Sequence, residues 1–136
     1  MKKLIIVLFA AVLVMFLGCN KSSDSPTSPS TTNATLVNSW KLTLENGAAP
    51  SWTEILVLNA DNSFSVSGTF SNGSSCTLTG TYTVSGNNIT STTTATTNSS
   101  LCPIVNPTSS YTYSISGNNL TFTSTSNNNV SVYQKQ

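Results

Sequence analysis

The chain has 136 residues, of which only 7% are charged: five lysines stand against four carboxylates, with no arginine and no histidine, for a formal net charge of +1. Binding to a nucleic-acid backbone needs several clustered cations, and none cluster here, so nucleic acid is not an expected partner. Acid–base catalysis most often uses histidine, so the composition also argues against an enzyme and identifies no catalytic residue.

In chain order, Lys2 and Lys3 give a basic start, residues 4–17 are an uninterrupted apolar run, and Gly18 and Cys19 follow. Basic start, apolar run and small residue are the pattern of a secretory signal. The run is about 14 residues, short of the roughly 20 that a membrane-spanning helix needs. Phe16-Leu17-Gly18-Cys19 resembles the lipobox of bacterial lipoproteins. That resemblance implies that the signal is cut before Cys19 and that Cys19 carries diacylglycerol and an N-terminal acyl chain such as palmitate. Two or three chains on one residue make a durable anchor. The expected address is therefore the bacterial cell envelope, with the membrane as a partner through lipid. Residues 20–35 are rich in Ser, Thr and Pro and nearly free of apolar side chains. Such a segment cannot bury enough surface to offset its ordering entropy and reads as a tether. The expected organisation is a lipoprotein signal peptide over 1–18, lipidated cysteine and tether over 19–35, and one β-domain over 36–136.

From residue 36 onward Thr, Val, Ile, Tyr, Phe and Trp dominate, and alternation replaces any helical period. A first strand puts Leu36, Trp40, Leu42 and Leu44 on one face, and Asn46-Gly47 ends it. The second, over 52–58, is apolar on both faces. The third turns Phe64, Val66, Gly68 and Phe70 inward, and the fourth Cys76, Leu78, Gly80, Tyr82 and Val84. A loop at Asn72-Gly73-Ser74 pairs Phe70 with Cys76. Period two with one polar face indicates an antiparallel sheet wet on one side.

A short repeat follows. Tyr82-Thr83-Val84-Ser85-Gly86-Asn87-Asn88-Ile89-Thr90 is echoed by Tyr113-Ser114-Ile115-Ser116-Gly117-Asn118-Asn119-Leu120-Thr121. Each reads as a hairpin about Gly-Asn, with Val84 facing Ile89 and Ile115 facing Leu120. The fifth strand, over 88–97, is Thr-rich and weakly apolar and reads as solvent-facing or an edge. Its register sets Thr97 opposite Cys76, and Cys102 lies close enough in the next loop to reach back. An even pair of cysteines in an oxidising compartment makes Cys76–Cys102 the expected disulfide. Tyr111, Tyr113 and Ile115 point inward from the sixth strand, and Leu120 and Phe122 belong to the seventh. In the eighth, Val130 and Val132 share one face and Ser131, Tyr133 and Lys135 the other.

About eight short strands with short loops predict an all-β, antiparallel up-and-down meander. Closing it into a small barrel removes both edges; a β-sandwich is the alternative. Leu36-Val37-Asn38-Ser39-Trp40-Lys41-Leu42, Leu58-Asn59-Ala60-Asp61-Asn62-Ser63-Phe64 and Gly80-Thr81-Tyr82-Thr83-Val84-Ser85-Gly86-Asn87 resemble the lipocalin-like domain of small bacterial lipoproteins. The resemblance runs from residue 36 to the end and implies a barrel whose relatives are presumed to hold apolar ligands.

Two functions are then open. In the first the barrel holds a small apolar ligand against Trp40, Phe64, Tyr82, Tyr111, Tyr113 and Phe122. The tyrosines favour this, because a buried hydroxyl wants a partner. In the second the same aromatics fill the core, as strands this short favour, and the protein is a structural or protein-interaction module of the envelope. Eight strands are compatible with either. No metal-ligand spacing and no cofactor motif occurs.

Overall fold

The computed structural model describes residues 35–103 and 107–136. Residues 1–34, on which the expected signal peptide, the expected lipidation at Cys19 and nearly all of the expected tether fall, lie outside the described residues. The strands are β1 (Asn38–Glu45), β2 (Thr53–Leu58), β3 (Ser63–Thr69), β4 (Ser75–Ser85), β5 (Asn88–Thr96), β6 (Thr108–Ser116), β7 (Asn119–Ser124) and β8 (Val130–Lys135). Each pairs antiparallel with the next, and β8 returns to pair with β1, so the sheet is a closed barrel in simple up-and-down order. This is the meander of the sequence reading; the two-sheet sandwich does not occur.

Alternation is the local cause. Along β4 the exposed Thr81 and Thr83 flank the buried Tyr82, while Cys76 and Gly80 are buried on the same inner face. β6 repeats the pattern, with Tyr113 buried between the exposed Thr112 and Ser114. The two repeated hairpins have the expected registers, Val84 opposite Ile89 and Ile115 opposite Leu120. Gly86 and Gly117 each take φ of 57°, the positive value that the first residue of such a tight turn requires.

Four sequence expectations are corrected. The β3–β4 loop is centred one residue earlier than expected: Gly68, not Phe70, opposes Cys76, and the Phe70 N–H meets the Ser74 carbonyl. The shift is by two positions, so no side chain changes face. β5 is no edge, being paired with β4 on one side and β6 on the other. A bulge in β5 lets Ala95 oppose Thr79 while Thr93 opposes Gly80. It moves Thr97 beside Thr77, whose carbonyl accepts the Thr97 N–H, instead of beside Cys76. Finally, a bulge at Thr43 shifts β1 against β8, and the Thr43 hydroxyl donates to the Val132 carbonyl at 2.9 Å. Past it the faces exchange: Leu44 opposes Val132 and is 39% exposed, while Glu45 opposes Ser131. Leu44 is therefore an outer residue, because one extra residue inverts a period of two.

One end of the barrel is plugged. Trp40, Leu36 and Leu120 are almost fully buried, with Leu58 and Ile89 beside them in one cluster. The Trp40 indole N–H donates to the Leu36 carbonyl at 2.9 Å, which ties the chain entering the barrel to its first strand. The described core and the eight strands lie between Leu36 and Lys135. Cys76 and Cys102 are disulfide-bonded, with their Cα atoms 6.2 Å apart. The bond pins the loop between β5 and β6 to the opposite end from Trp40. A closed loop of this length stabilises by about 3 kcal/mol through the unfolded chain.

Candidate ligand cavity

Inside the barrel, beyond the aromatic plug, lies a cavity of about 300 Å³. Its walls are graded. Leu58, Phe64 and Ile89, near the plugged end, are apolar, with Leu56, Leu78 and Phe122 continuing the surface. Glu54, Ser109 and Ser131 lie at the other end, each the second residue of a strand that starts there. Ser91 and Thr93 of β5 also face the cavity, which explains why that strand is poor in apolar residues although it is not an edge.

Of the six aromatics singled out from the sequence, Phe64, Tyr82, Tyr111 and Phe122 line the cavity. Trp40 and Tyr113 do not; they belong to the packed core. The Tyr113 hydroxyl donates to the Gly86 carbonyl at 3.2 Å, and burial raises its pKa. The Tyr82 hydroxyl donates to the Asn59 carbonyl at 2.7 Å. Burial first, and the charge of Asp61 second, raise the Tyr82 pKa as well. These two hydroxyls are satisfied by turn carbonyls and hold the strand ends to them. Tyr111 differs: its ring packs on Phe122 at 5.7 Å, and its hydroxyl has no hydrogen-bond partner among the described residues.

Tyr133 and Glu54 were missed by the sequence reading. The Tyr133 hydroxyl donates to Glu54 Oε1 at 2.7 Å, and the Trp52 indole N–H donates to Glu54 Oε2 at 3.2 Å. Burial first, then the Glu54 charge, hold the Tyr133 pKa well above the usual phenol value, so this phenol stays a proton donor. The Tyr133 ring also stands edge-on to Phe122 at 5.9 Å. Alternation in β8 had separated Tyr133 from Val130 and Val132 without saying which set faced in. A buried tyrosine needs a partner for its hydroxyl, and Glu54, alone charged in an apolar strand, was the available signal. Glu45, turned inward by the Thr43 bulge, adds a second carboxylate near Tyr133. The lysines among the described residues, Lys41 and Lys135, are both exposed. Asp61 sits in the exposed β2–β3 turn, where its carboxylate accepts from the Ser63 hydroxyl at 2.6 Å and N–H at 2.9 Å. Those bonds hold its pKa below the usual range. No three His, Cys, Asp or Glu come together to hold a metal among the described residues.

No family model matches the chain, and no curated protein matches it. Solved structures do. A lipocalin-like protein from Bacteroides uniformis superposes with a TM-score of 0.61 at 16% identity, covering 74% of this chain and 98% of that one. The two share the fold of a closed antiparallel barrel. An uncharacterised protein from Bacteroides eggerthii superposes with a TM-score of 0.55 at 13% identity over the same shares. At such identities the likeness is one of fold. What this barrel does rests on its own cavity.

Proposed function

We propose that this chain is a non-enzymatic, lipid-anchored lipoprotein of the bacterial cell envelope whose barrel binds one small, mostly apolar molecule. The observation that carries the binding reading is the 300 Å³ cavity with its apolar floor and polar mouth. A filled barrel, which the alternative role in structure or protein interaction assumed, leaves no such space. Three carboxylates lie among the described residues. Glu54 is held by Tyr133 and Trp52, Asp61 by Ser63, and Glu45 has no histidine or lysine beside it to form an acid–base pair. That supports binding over catalysis. The anchor rests on Phe16-Leu17-Gly18-Cys19 and the polar tether behind it.

Native mass spectrometry on the exported protein tests the cavity. The expected spectrum contains an adduct of small-molecule mass that is lost on collisional activation. Adding that molecule back at a hundred times its Kd should stabilise the barrel by about 2.7 kcal/mol. Bare protein from every preparation, with no ligand-dependent melting shift, would count against a carrier. For the anchor, cells fed labelled palmitate should incorporate it into the wild-type chain and not into Cys19→Ala. Label retained in the variant would rule out Cys19 as the lipid site.

A further inference from the structure

The cavity has a direction, and its charge sits at one end. The apolar side chains Leu58, Phe64 and Ile89 are at the plugged end, and the Glu54 carboxylate is at the other. A carboxylate can accept about four hydrogen bonds. Glu54 accepts two, from Tyr133 and Trp52, so each oxygen keeps accepting capacity. Neither neighbour brings a positive charge, and both lysines of the described residues are exposed. Tyr111, whose hydroxyl has no hydrogen-bond partner among the described residues, lines the same space. Those two hydrogen bonds fix the carboxylate, and its β3 neighbour in register, Gly68, has no side chain to cover it. A negative group fixed at the mouth of an apolar cavity repels carboxylates and phosphates and attracts ammonium groups.

From this we infer that the ligand is a small cationic amphiphile, an alkyl- or arylalkylamine, whose ammonium is bound by Glu54 while its apolar part occupies the cavity toward Phe64 and Ile89. The inference rests on the cavity being a binding site and adds the sign of the ligand's head group. Tyr133 is a positioning residue: its donated hydrogen bond holds one carboxylate oxygen and leaves the charge free for the ligand. A charge-assisted hydrogen bond contributes enough to distinguish amine from acid by about 10- to 100-fold.

The test is calorimetric titration of the oxidised chain from Asn20 to Gln136, which keeps the whole barrel, with octylamine, octanol and octanoate at neutral pH. The expected order is octylamine tightest and octanoate weakest, with about 10- to 100-fold between them. Glu54→Gln should abolish that preference and leave octanol binding unchanged. Tyr133→Phe keeps the charge and loses only its positioning, so it should narrow the preference without abolishing it, whereas Asp61→Asn, which removes a carboxylate of the exposed β2–β3 turn outside the cavity, should leave it whole. Octanoate binding as tightly as octylamine overturns the cationic head group, and a preference that survives in Glu54→Gln overturns Glu54 as its partner; either leaves the cavity a binding site. No binding of any of the three overturns the cavity reading and this inference together.

Discussion

Gly80→Ala is expected to cost the barrel about 4 kcal/mol, the upper end of what one substitution does. A Cβ at this position would run into the Thr92 carbonyl and approach Phe64 Cε1 at 2.8 Å. The ring can turn, but the carbonyl belongs to backbone next to the β5 bulge, where Gly80 opposes Thr93. Relief would require the bulge to move, and with it the register that turns Ser91 and Thr93 toward the cavity. Gly68→Ala is the control. Its Cβ would meet only Cys76 Sγ, at 3.7 Å, an ordinary contact. Urea unfolding followed by tryptophan fluorescence should show a far lower midpoint for the Gly80 variant than for the Gly68 variant. Equal midpoints would mean that the close approach at Gly80 constrains nothing.

Trp40→Ala is expected to cost about 3–5 kcal/mol, the range for deleting a buried tryptophan. Trp40 is 1% exposed and packs in one cluster with Leu36, Leu58 and Leu120. Its indole N–H also bonds the Leu36 carbonyl, which would lose its partner. For a domain of this size, a loss of that order lowers the melting temperature by at least about 12 °C. Trp40→Phe keeps much of the volume and gives up the hydrogen bond, so its loss should be about 1–2 kcal/mol. Because Trp40 lies outside the cavity lining, a ligand bound there should bind the Phe variant as it binds the wild type. A small melting shift for Trp40→Ala would show that the plug at this end is not what closes the barrel.

Much of this fold could be read before any coordinates, and the reason is local. In a half-buried strand every second side chain is wet, so Thr81 and Thr83 beside Tyr82 announce both the strand and its inner face. A two-residue Gly-Asn turn leaves one register, so Val84 had to meet Ile89, and Ile115 had to meet Leu120. The cysteine pair followed from spacing along those hairpins, even though the β5 bulge moved the pairing by one residue. The cavity lining was legible only in part. Phe64, Tyr82, Tyr111 and Phe122 were on inner faces and do line it; Trp40 and Tyr113 were on inner faces too, yet lie in the packed core. Alternation tells in from out but not how far along the barrel axis a side chain lies, nor whether that level is filled.

The sequence by itself determined the strand content, the tight hairpins, the cysteine pairing and most of the inner face, because each depends on residues near one another in the chain or on a period of two. Only the tertiary structure decided the rest. The pairing of β8 with β1 joins residues from the two ends of the domain and has no local signal. The bulge at Thr43 exchanged Leu44 for Glu45 on the inner face, as one added residue must. Tyr133 and Glu54, 79 residues apart, meet only because the barrel closes. The charge that gives the cavity its chemistry is therefore a product of closure.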